Sequence, residues 1–541
     1  MEISAKSLGM WWTLPLLFAS AVMAADLRLV DAAKSGDKEA VRSLLKQHVD
    51  VNAPQADGAT ALSWAAYQDD LEAVDLLIAA GANVNAANDY ATTPLMLACT
   101  NGSTGMVNKL LKAGANPNAA AWSGETVLMT CARTGNVGSV KSLLAGGADV
   151  NAKDTRQGNT ALMWALAQKH ADIARVLIEH KADVHARTND GFTPFLFAAQ
   201  QGDADSAQML LTAGVDVNEA TPDGDNALLL ASAGGHEAFS IFLLEHGANP
   251  NSADRNGITA MHYAIMNGLG QAASGISMVR AHTPYLHRPN MAELVKELLK
   301  RGANPNARLT APATEMDYGP GYGKILRTAQ LNVGGGRISP VGATPFLMAA
   351  LSFDVNLMRS LVAAGANPLL ATQDNVTPLM AAIGLGRERA GLISYKEDQE
   401  PEVLEMVKLT VELGVDVNAV ETATGLTALH CAAFYGGSER IIQYLVDKGA
   451  NLNAKTKAGQ TALDIASNIA PKGKVERNLV PLAYWKGTVD LLLKLGAAPS
   501  SGSGANPRLG APQARYNKGR NRIGAQAESA LRSLHLAPYS P

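Results

Sequence analysis

The chain has 541 residues, of which 47% are hydrophobic, 5% aromatic and 18% charged, and its formal net charge is −3. The apolar content excludes a disordered chain, because disorder goes with low hydrophobicity and high net charge. Three cysteines are too few for a disulfide scaffold. A mildly acidic chain lacks the basic surface that binds a phosphate backbone, so we expect no nucleic-acid partner.

The N-terminus has the pattern of an export signal. A 14-residue apolar run over residues 10–23 follows Lys6, and small residues precede Asp26, which predicts signal-peptidase cleavage after Ala24. The run is short for a membrane-spanning helix, which needs about 20 apolar residues, and an uncleaved anchor is the alternative. We predict a signal peptide over residues 1–24, export to the periplasm or the extracellular space, and no stable membrane insertion after cleavage.

The three cysteines, Cys99, Cys131 and Cys431, are widely separated in the chain. Their odd number allows at most one intramolecular disulfide. We expect all three to be small, buried side chains within helices, because free cysteine behaves as a small hydrophobic residue.

A single pattern, Thr-x-Leu-x-x-Ala, recurs along most of the chain, usually every 33 or 34 residues. Such a period is typical of a stacked repeat array and not of several globular domains. The repeats begin at Thr60, Thr93, Thr126, Thr160, Thr193, Asn226, Thr259, Thr344, Thr377, Thr427 and Thr461.

Each repeat is predicted to form a helical hairpin. The threonine is a helix N-cap, and Pro94, Pro194, Pro345 and Pro378 follow at the first helical position, where proline is favoured. Polar or glycine-containing turns then separate this helix from a second, Val/Leu-rich helix. The second helix is predicted to end at a glycine 21 residues after the threonine, with Lys181 as the exception.

These residues carry a family resemblance. The pattern Asp-Gly-x-Thr-Pro-Leu-x-x-Ala-Ala, followed by Leu-Leu-x-x-Gly-Ala-Asn-x-Asn, resembles the ankyrin repeat over about residues 27–498. Segments 259–264 and 427–432 come near the family's Thr-Pro-Leu-His-x-Ala. The resemblance implies an all-α ankyrin-repeat solenoid of about twelve helix-turn-helix units with projecting β-turn fingers. Residues 27–52, which lack the threonine, are predicted to be the N-terminal cap.

The array, predicted over residues 25–498, departs from its period at four insertions. Three lengthen the turn between the two helices of a unit, at residues 269–290, 385–401 and 468–486, and the fourth replaces a finger at residues 308–341. Long loops inside a compact array either bind something or are disordered, and both alternatives stay open. Residues 499–541 carry six basic residues and one acidic residue, and are predicted to be a basic, disordered tail.

The resemblance also implies which residues face a partner. Ankyrin-like proteins expose, on a concave surface, the two positions after the alanine pair of the first helix, together with the finger tips. In this sequence the candidates on the first helices are Tyr67, Gln68, Arg133, Gln168, Lys169, Gln200, Gln201, Phe434 and Tyr435, and those on fingers are Tyr90, Trp122 and Phe192. Tyr318 and Tyr322 lie amid glycines in the fourth insertion, a composition suited to adaptable recognition.

No catalytic motif accompanies these residues, so we predict no enzyme activity, no cofactor and no metal. The Gly-rich segment ending at Lys324 lacks the Ser or Thr of a phosphate loop, and His282 and His287 are weak metal candidates. The predicted function is an exported scaffold that binds a protein through its concave groove and its C-terminal insertions. The alternatives are a small-ligand receptor or enzyme assembled from the insertions of residues 259–486, and a secreted effector that binds a host protein.

Overall fold

A computed structural model describes residues 26–266, 291–310, 314–317, 325–328, 331–333, 336–339, 341–385, 399–435, 438–467 and 486–498. The chain divides into two compact units, one comprising Met1–Arg255 and Met316–Leu326, the other Asn256–Glu315 and Arg327–Pro541. The predicted signal peptide and basic tail lie outside the described residues.

Helices in the first unit form seven successive hairpins. They are α1 (Arg28–Ser35), α2 (Lys38–Lys46), α3 (Ala61–Tyr67), α4 (Leu71–Ala79), α5 (Pro94–Thr100), α6 (Thr104–Lys112), α7 (Val127–Thr134), α8 (Val137–Ala145), α9 (Ala161–Ala167), α10 (Ala171–Glu179), α11 (Pro194–Gln201), α12 (Ala204–Thr212), α13 (Ala227–Ala233) and α14 (Glu237–Glu245).

The described part of the second unit contains five more hairpins. Their helices are α15 (Ala260–Met266), α16 (Ala292–Lys300), α17 (Pro345–Leu351), α18 (Val355–Ala363), α19 (Pro378–Ile383), α20 (Glu400–Glu412), α21 (Ala428–Tyr435), α22 (Glu439–Asp447), α23 (Ala462–Ala466) and α24 (Lys486–Lys494). The twelve hairpins confirm the predicted all-α repeat solenoid as the fold class. The first three insertions fall between α15 and α16, α19 and α20, and α23 and α24, and most of their residues lie outside the described ranges.

The N-caps of the first helices act as the sequence predicts. The Thr60 hydroxyl accepts the backbone N–H of Ser63 at 3.3 Å, and the Thr93 hydroxyl accepts that of Met96 at 3.3 Å. Where Asn226 replaces threonine, its Oδ1 accepts the N–H of Leu229 at 3.0 Å. Each bond satisfies one of the backbone donors that a helix start leaves unpaired.

The core of each unit is a stack of first helices. Within the first unit α3 packs against α1 and α5, and α7 packs against α5 and α9, while each second helix packs on its own partner. Alanine makes this close approach possible: Ala65 and Ala66 are completely buried. Stability in such an array arises mainly within hairpins and between neighbours.

The second helices end in left-handed residues, as predicted. Gly81 has φ of 89°, and Lys181, the predicted exception, adopts φ of 71° without the freedom of glycine. A side chain in this conformation is strained.

An asparagine ladder joins successive hairpins. Asn85 Nδ2 donates to the Gly114 carbonyl at 3.1 Å, and its Oδ1 accepts the Asn116 N–H at 2.7 Å. The same two bonds are made by Asn52, Asn118, Asn151, Asn218, Asn306 and Asn418. His185 and Leu369 stand at ladder positions, and no such rung is formed there among the described residues.

Two of the cysteines form a disulfide. Cys99 on α5 and Cys131 on α7 are joined with their Cα atoms 4.7 Å apart, and both are completely buried. Cys431 is buried and is not part of a disulfide. The expectation of three unlinked cysteines is therefore wrong for this pair, because the stacked helices bring together residues that lie 32 positions apart in the sequence.

The fourth insertion, predicted only as a loop, contains short strands. These are β1 (Thr314–Asp317), β2 (Ile325–Thr328), β3 (Leu331–Val333) and β4 (Gly336–Ile338). β1 pairs with β2, and β3 pairs antiparallel with β4, with Leu331 opposite Ile338.

The two ends of this insertion meet like those of an ordinary finger. Leu309 N–H donates to the Ala343 carbonyl at 3.1 Å, and Gly342 N–H donates to the Leu309 carbonyl at 2.7 Å. The Arg308 guanidinium also bonds the Gly342 carbonyl at 3.2 Å. The insertion therefore extends from a closed base.

Candidate functional site

The fingers of the first unit are tied into a row by backbone hydrogen bonds. Asp89 N–H donates to the Asp57 carbonyl at 2.9 Å, Trp122 N–H to the Tyr90 carbonyl at 3.2 Å, and Thr155 N–H to the Ser123 carbonyl at 3.1 Å. Each finger is thus held against the next. Side chains at the finger tips are consequently presented at fixed spacing.

Two large aromatic side chains project from adjacent fingers. Tyr90 is 61% exposed and Trp122 is 67% exposed. The Arg156 guanidinium of the following finger lies 5.8 Å from the centre of the Trp122 ring. Tyr90, Trp122 and Arg156 together form what we call the finger-tip cluster.

Asp154 shapes the finger that carries Arg156. One of its carboxylate oxygens accepts the backbone N–H groups of Arg156, Gln157 and Gly158 at 3.1, 2.7 and 3.1 Å. Asp154 is buried, so these bonds satisfy a charge that would otherwise be costly. The turn holds the backbone of Arg156 next to the Trp122 finger.

The first-helix face near α3 carries a second aromatic group. Tyr67, 49% exposed, packs edge-on against Trp64 with ring centres 5.9 Å apart. The ammonium of Lys34 lies 4.7 Å from the centre of the Trp64 ring, and Trp64 Nε1 donates to Gln55 Oε1 at 3.2 Å. The neighbouring candidate Gln68 is exposed.

Arg133 is half-buried on the same face and has defined partners. Its guanidinium pairs with the Glu125 carboxylate at 3.1 Å and lies 5.7 Å from the centre of the Trp164 ring. The Trp164 Nε1 atom is buried without a hydrogen-bond partner among the described residues. Arg133 is therefore positioned by contacts within the first unit.

The remaining polar candidates lie at the turns between helices. Gln168 and Lys169 are exposed, and Lys169 adopts φ of 60°. Gln200 and Gln201 are half-buried at the end of α11, and the Gln200 carbonyl bonds His236 Nε2 at 3.0 Å. Their contact with a partner stays a prediction.

Two aromatic candidates are buried, so their expected exposure is wrong. Phe192 is only 6% exposed, because the turn at Gly191 directs it onto Phe197, with ring centres 5.5 Å apart. Phe434, in α21, is 8% exposed, whereas Tyr67 at the same repeat position is 49% exposed. Tyr318 and Tyr322 lie outside the described residues, as does the side chain of Tyr435.

Histidines at the third residue after the N-cap are structural. His262 Nδ1 accepts the Thr259 N–H at 3.1 Å, and complete burial lowers the pKa of His262 to about 4. His430 makes the same bond to Thr427 at 3.1 Å, and burial also lowers the pKa of His430. Both imidazoles are therefore neutral near pH 7 and hold the start of their own helix.

A cation lies over the ring of each tryptophan that the structure describes, Trp64, Trp122 and Trp164, and the sequence did not predict these contacts. Arg156 in particular is not among the candidate residues taken from the sequence. The signal was Asp154, whose position two residues before Arg156 and four before Gly158 is typical of a side chain that caps a turn.

No group of three or more His, Cys, Asp or Glu side chains within the described ranges could hold a metal ion. None of the helices described here is long and apolar enough to cross a membrane. The candidate residues that the structure leaves exposed or half-buried are mainly aromatic, charged and polar side chains.

Comparison with known proteins agrees with the fold. The family described as "Ankyrin repeats (3 copies)" matches residues 29–121, 120–188, 195–279 and 398–473, more than half of the chain. Ankyrin repeat and SAM domain-containing protein 6 of Rattus norvegicus is 33% identical over 96 residues, 18% of this chain and 9% of that protein. Ankyrin repeat domain-containing protein OPG015 of Monkeypox virus is 40% identical over 67 residues, 12% of this chain and 15% of that protein.

These alignments thus cover less than a sixth of either relative. A stacked array of repeats presents an extended surface. The repeated hairpins, the finger row and the family match together show that this chain belongs to the ankyrin-repeat family.

Proposed function

We propose that this protein is an exported scaffold that binds a partner protein through the finger-tip cluster and first-helix face of its repeats, and through the insertions of residues 259–486. The observation that carries the binding proposal is the exposure of Tyr90 and Trp122 on adjacent fingers. Tyr, Trp and Arg are the residue types that dominate interface energetics. Because the finger row is already hydrogen-bonded, little conformational entropy is lost when a partner docks.

Export is supported by two features of the first 131 residues. The apolar run over residues 10–23 has the length of a signal peptide. The Cys99–Cys131 disulfide is of the kind that forms and persists in oxidising compartments and is rare in the cytosol. The mature chain is proposed to begin at Ala25.

Site-specific photo-crosslinking tests the binding surface. A photoreactive amino acid placed at Trp122 should crosslink a discrete protein, whereas the same amino acid at Leu71 should not. Leu71 is 39% exposed at the start of α4, a second helix, and is a control on another surface of the same unit. The same products from both positions, or none from Trp122, would contradict the proposal.

The contribution of each cluster residue is measured on the crosslinked partner once it is identified. Trp122→Ala should weaken binding by about 2 kcal/mol or more, roughly 30-fold in Kd, as expected for a central interface aromatic. Leu71→Ala should change Kd less than about 2-fold, because that side chain lies outside the cluster.

The contribution of the fourth insertion can be separated from folding. Removal of residues 311–340 leaves Arg308, Leu309 and Gly342, whose hydrogen bonds close the base of the finger. This variant should keep its helical content and lose binding to one partner. Unchanged binding would remove the insertion from the proposed interface.

Cell fractionation and N-terminal sequencing test export. The full chain should be recovered outside the cytosol with Ala25 at its N-terminus, and a chain without residues 1–24 should stay in the cytosol. Recovery of the full chain from the cytosol with residues 1–24 intact would contradict export.

A further inference from the structure

The two cysteines of the disulfide do not lie at equivalent positions of their repeats. Cys99 lies six residues after its cap, Thr93, whereas Cys131 lies five residues after Thr126. This offset by one residue turns the two side chains toward each other across the α5–α7 contact. Their Cα separation of 4.7 Å lies within the range that a disulfide spans.

The bond is sealed inside the array. Both cysteines are completely buried, and α5 and α7 are each covered by first helices on both sides. A soluble oxidant or reductant cannot reach either sulfur while these helices remain packed. Thiol–disulfide exchange requires direct access of an attacking thiolate to a sulfur atom.

We infer that Cys99 and Cys131 are the substrate of a thiol–disulfide oxidase of the destination compartment, which joins them after translocation and before α5 and α7 pack together. This inference rests on the proposed export. The disulfide would then stabilise the central repeats of the first unit only in the destination compartment. We call this compartment-dependent stabilisation the lock. The chain would then leave the cytosol with these repeats reduced and less stable, and acquire full stability after export.

The oxidation balances with a dithiol oxidase as electron acceptor. A thiolate of Cys99 or Cys131 attacks the disulfide of the oxidase, forming a mixed disulfide and releasing one thiolate of the oxidase. The second cysteine of the pair then attacks the mixed disulfide as a thiolate. The Cys99–Cys131 bond forms, the second oxidase thiolate leaves, and the oxidase retains the two electrons and accepts the two protons.

Cys431 is an internal control provided by the chain. It is also buried in a first helix, α21, and remains a thiol. The sequence holds three cysteines, so a second disulfide cannot form within the chain. Burial within a helix therefore does not by itself lead to a disulfide, because Cys431 is buried as well.

The test traps the redox state of the full chain in cells. Free thiols are alkylated in acid-quenched cells, and peptides are mapped by mass spectrometry without reduction. The exported chain should show linked Cys99 and Cys131 peptides and an alkylated Cys431. The chain without residues 1–24, and the full chain in a host that lacks its thiol oxidase, should show all three cysteines alkylated.

The outcomes separate the two proposals. An exported chain with alkylated Cys99 and Cys131 would overturn the inference while leaving export intact. A linked pair in the cytosolic chain would also overturn it, because oxidation would then not depend on the compartment. Cytosolic recovery of the full chain is the failure of the proposed function itself.

Access is tested on the purified oxidised protein. A phosphine reductant should leave the bond intact in native buffer and cleave it within minutes in concentrated urea. After cleavage, the opening constant of the α5–α8 repeats, measured by hydrogen exchange, should rise about 500-fold by the loop-entropy model. Rapid reduction under native conditions, or unchanged exchange after reduction, would overturn the lock. Cys431→Ser should leave the redox state and exchange of these repeats unchanged.

Discussion

The asparagine ladder makes a quantitative prediction about the coupling between repeats. Asn85→Ala removes two hydrogen bonds, to the Gly114 carbonyl at 3.1 Å and from the Asn116 N–H at 2.7 Å. Each is exposed to solvent, so each contributes about 0.5–1 kcal/mol net. The expected loss is about 1–2 kcal/mol, confined to the hairpins on either side of the rung.

Hydrogen exchange is the suitable assay, because a repeat array does not unfold as a single two-state unit. The amide of Asn116 should exchange about 5- to 30-fold faster in Asn85→Ala. Asn108→Ala is the matched control, since Asn108 is exposed on α6 and is not a ladder residue. This substitution should stabilise the α5–α6 hairpin by about 0.5 kcal/mol, because alanine has the higher helix propensity.

The ladder gap at Leu369 provides the reciprocal experiment. Leu369 is 56% exposed, and its Cδ2 atom lies 4.0 Å from the point that a Cβ on Gly414 would occupy. Leu369→Asn should therefore form the missing rung and slow exchange of the Asp416 amide by a similar factor. An unchanged Asp416 rate, together with an unchanged Asn116 rate in Asn85→Ala, would refute the idea that the rungs stabilise the array.

Further predictions concern single buried or strained groups. Because folding lowers the pKa of His262 to about 4, protonation linked to His262 should destabilise the second unit below pH 6.5. That unit should lose up to about 3 kcal/mol between pH 6.5 and 4, since only the unfolded state takes up the proton there. The urea midpoint of the second unit, measured at fixed pH values, should fall over this pH range, and His262→Gln should reduce the fall. Thr155→Gln should give Trp164 the acceptor that Gln55 gives Trp64, and raise the urea midpoint; an unchanged midpoint would show that Nε1 is satisfied otherwise. Lys181→Gly, at φ of 71°, should stabilise its hairpin by about 0.5–1 kcal/mol in hydrogen exchange.

The local pattern of the chain was sufficient to predict the hairpins and their ends. Thr60 and Thr93 cap helices through bonds to residues three positions away, and Gly81 ends a helix because glycine adopts positive φ freely. Such interactions depend on fixed offsets within one repeat. The spacing of residues within a repeat therefore predicts them. The same spacing shows that Lys181 stands at a position where other repeats have glycine.

The sequence pattern did not predict the contacts between repeats. Trp122 and Phe192 both lie on fingers, yet one is 67% and the other 6% exposed, because exposure depends on which side chains the adjacent helices and fingers present. The Cys99–Cys131 bond likewise depends on a one-residue offset between neighbouring helices.

The sequence by itself determined the family, the hairpin repeat and the positions of its interruptions, because these follow from a short pattern repeated in register. Only the tertiary structure showed the disulfide, the absence of ladder rungs at His185 and Leu369 among the described residues, and the Arg156 guanidinium over the Trp122 ring. Those features arise where side chains distant in sequence meet across stacked repeats, and a period fixes the spacing of such positions without fixing which side chains touch.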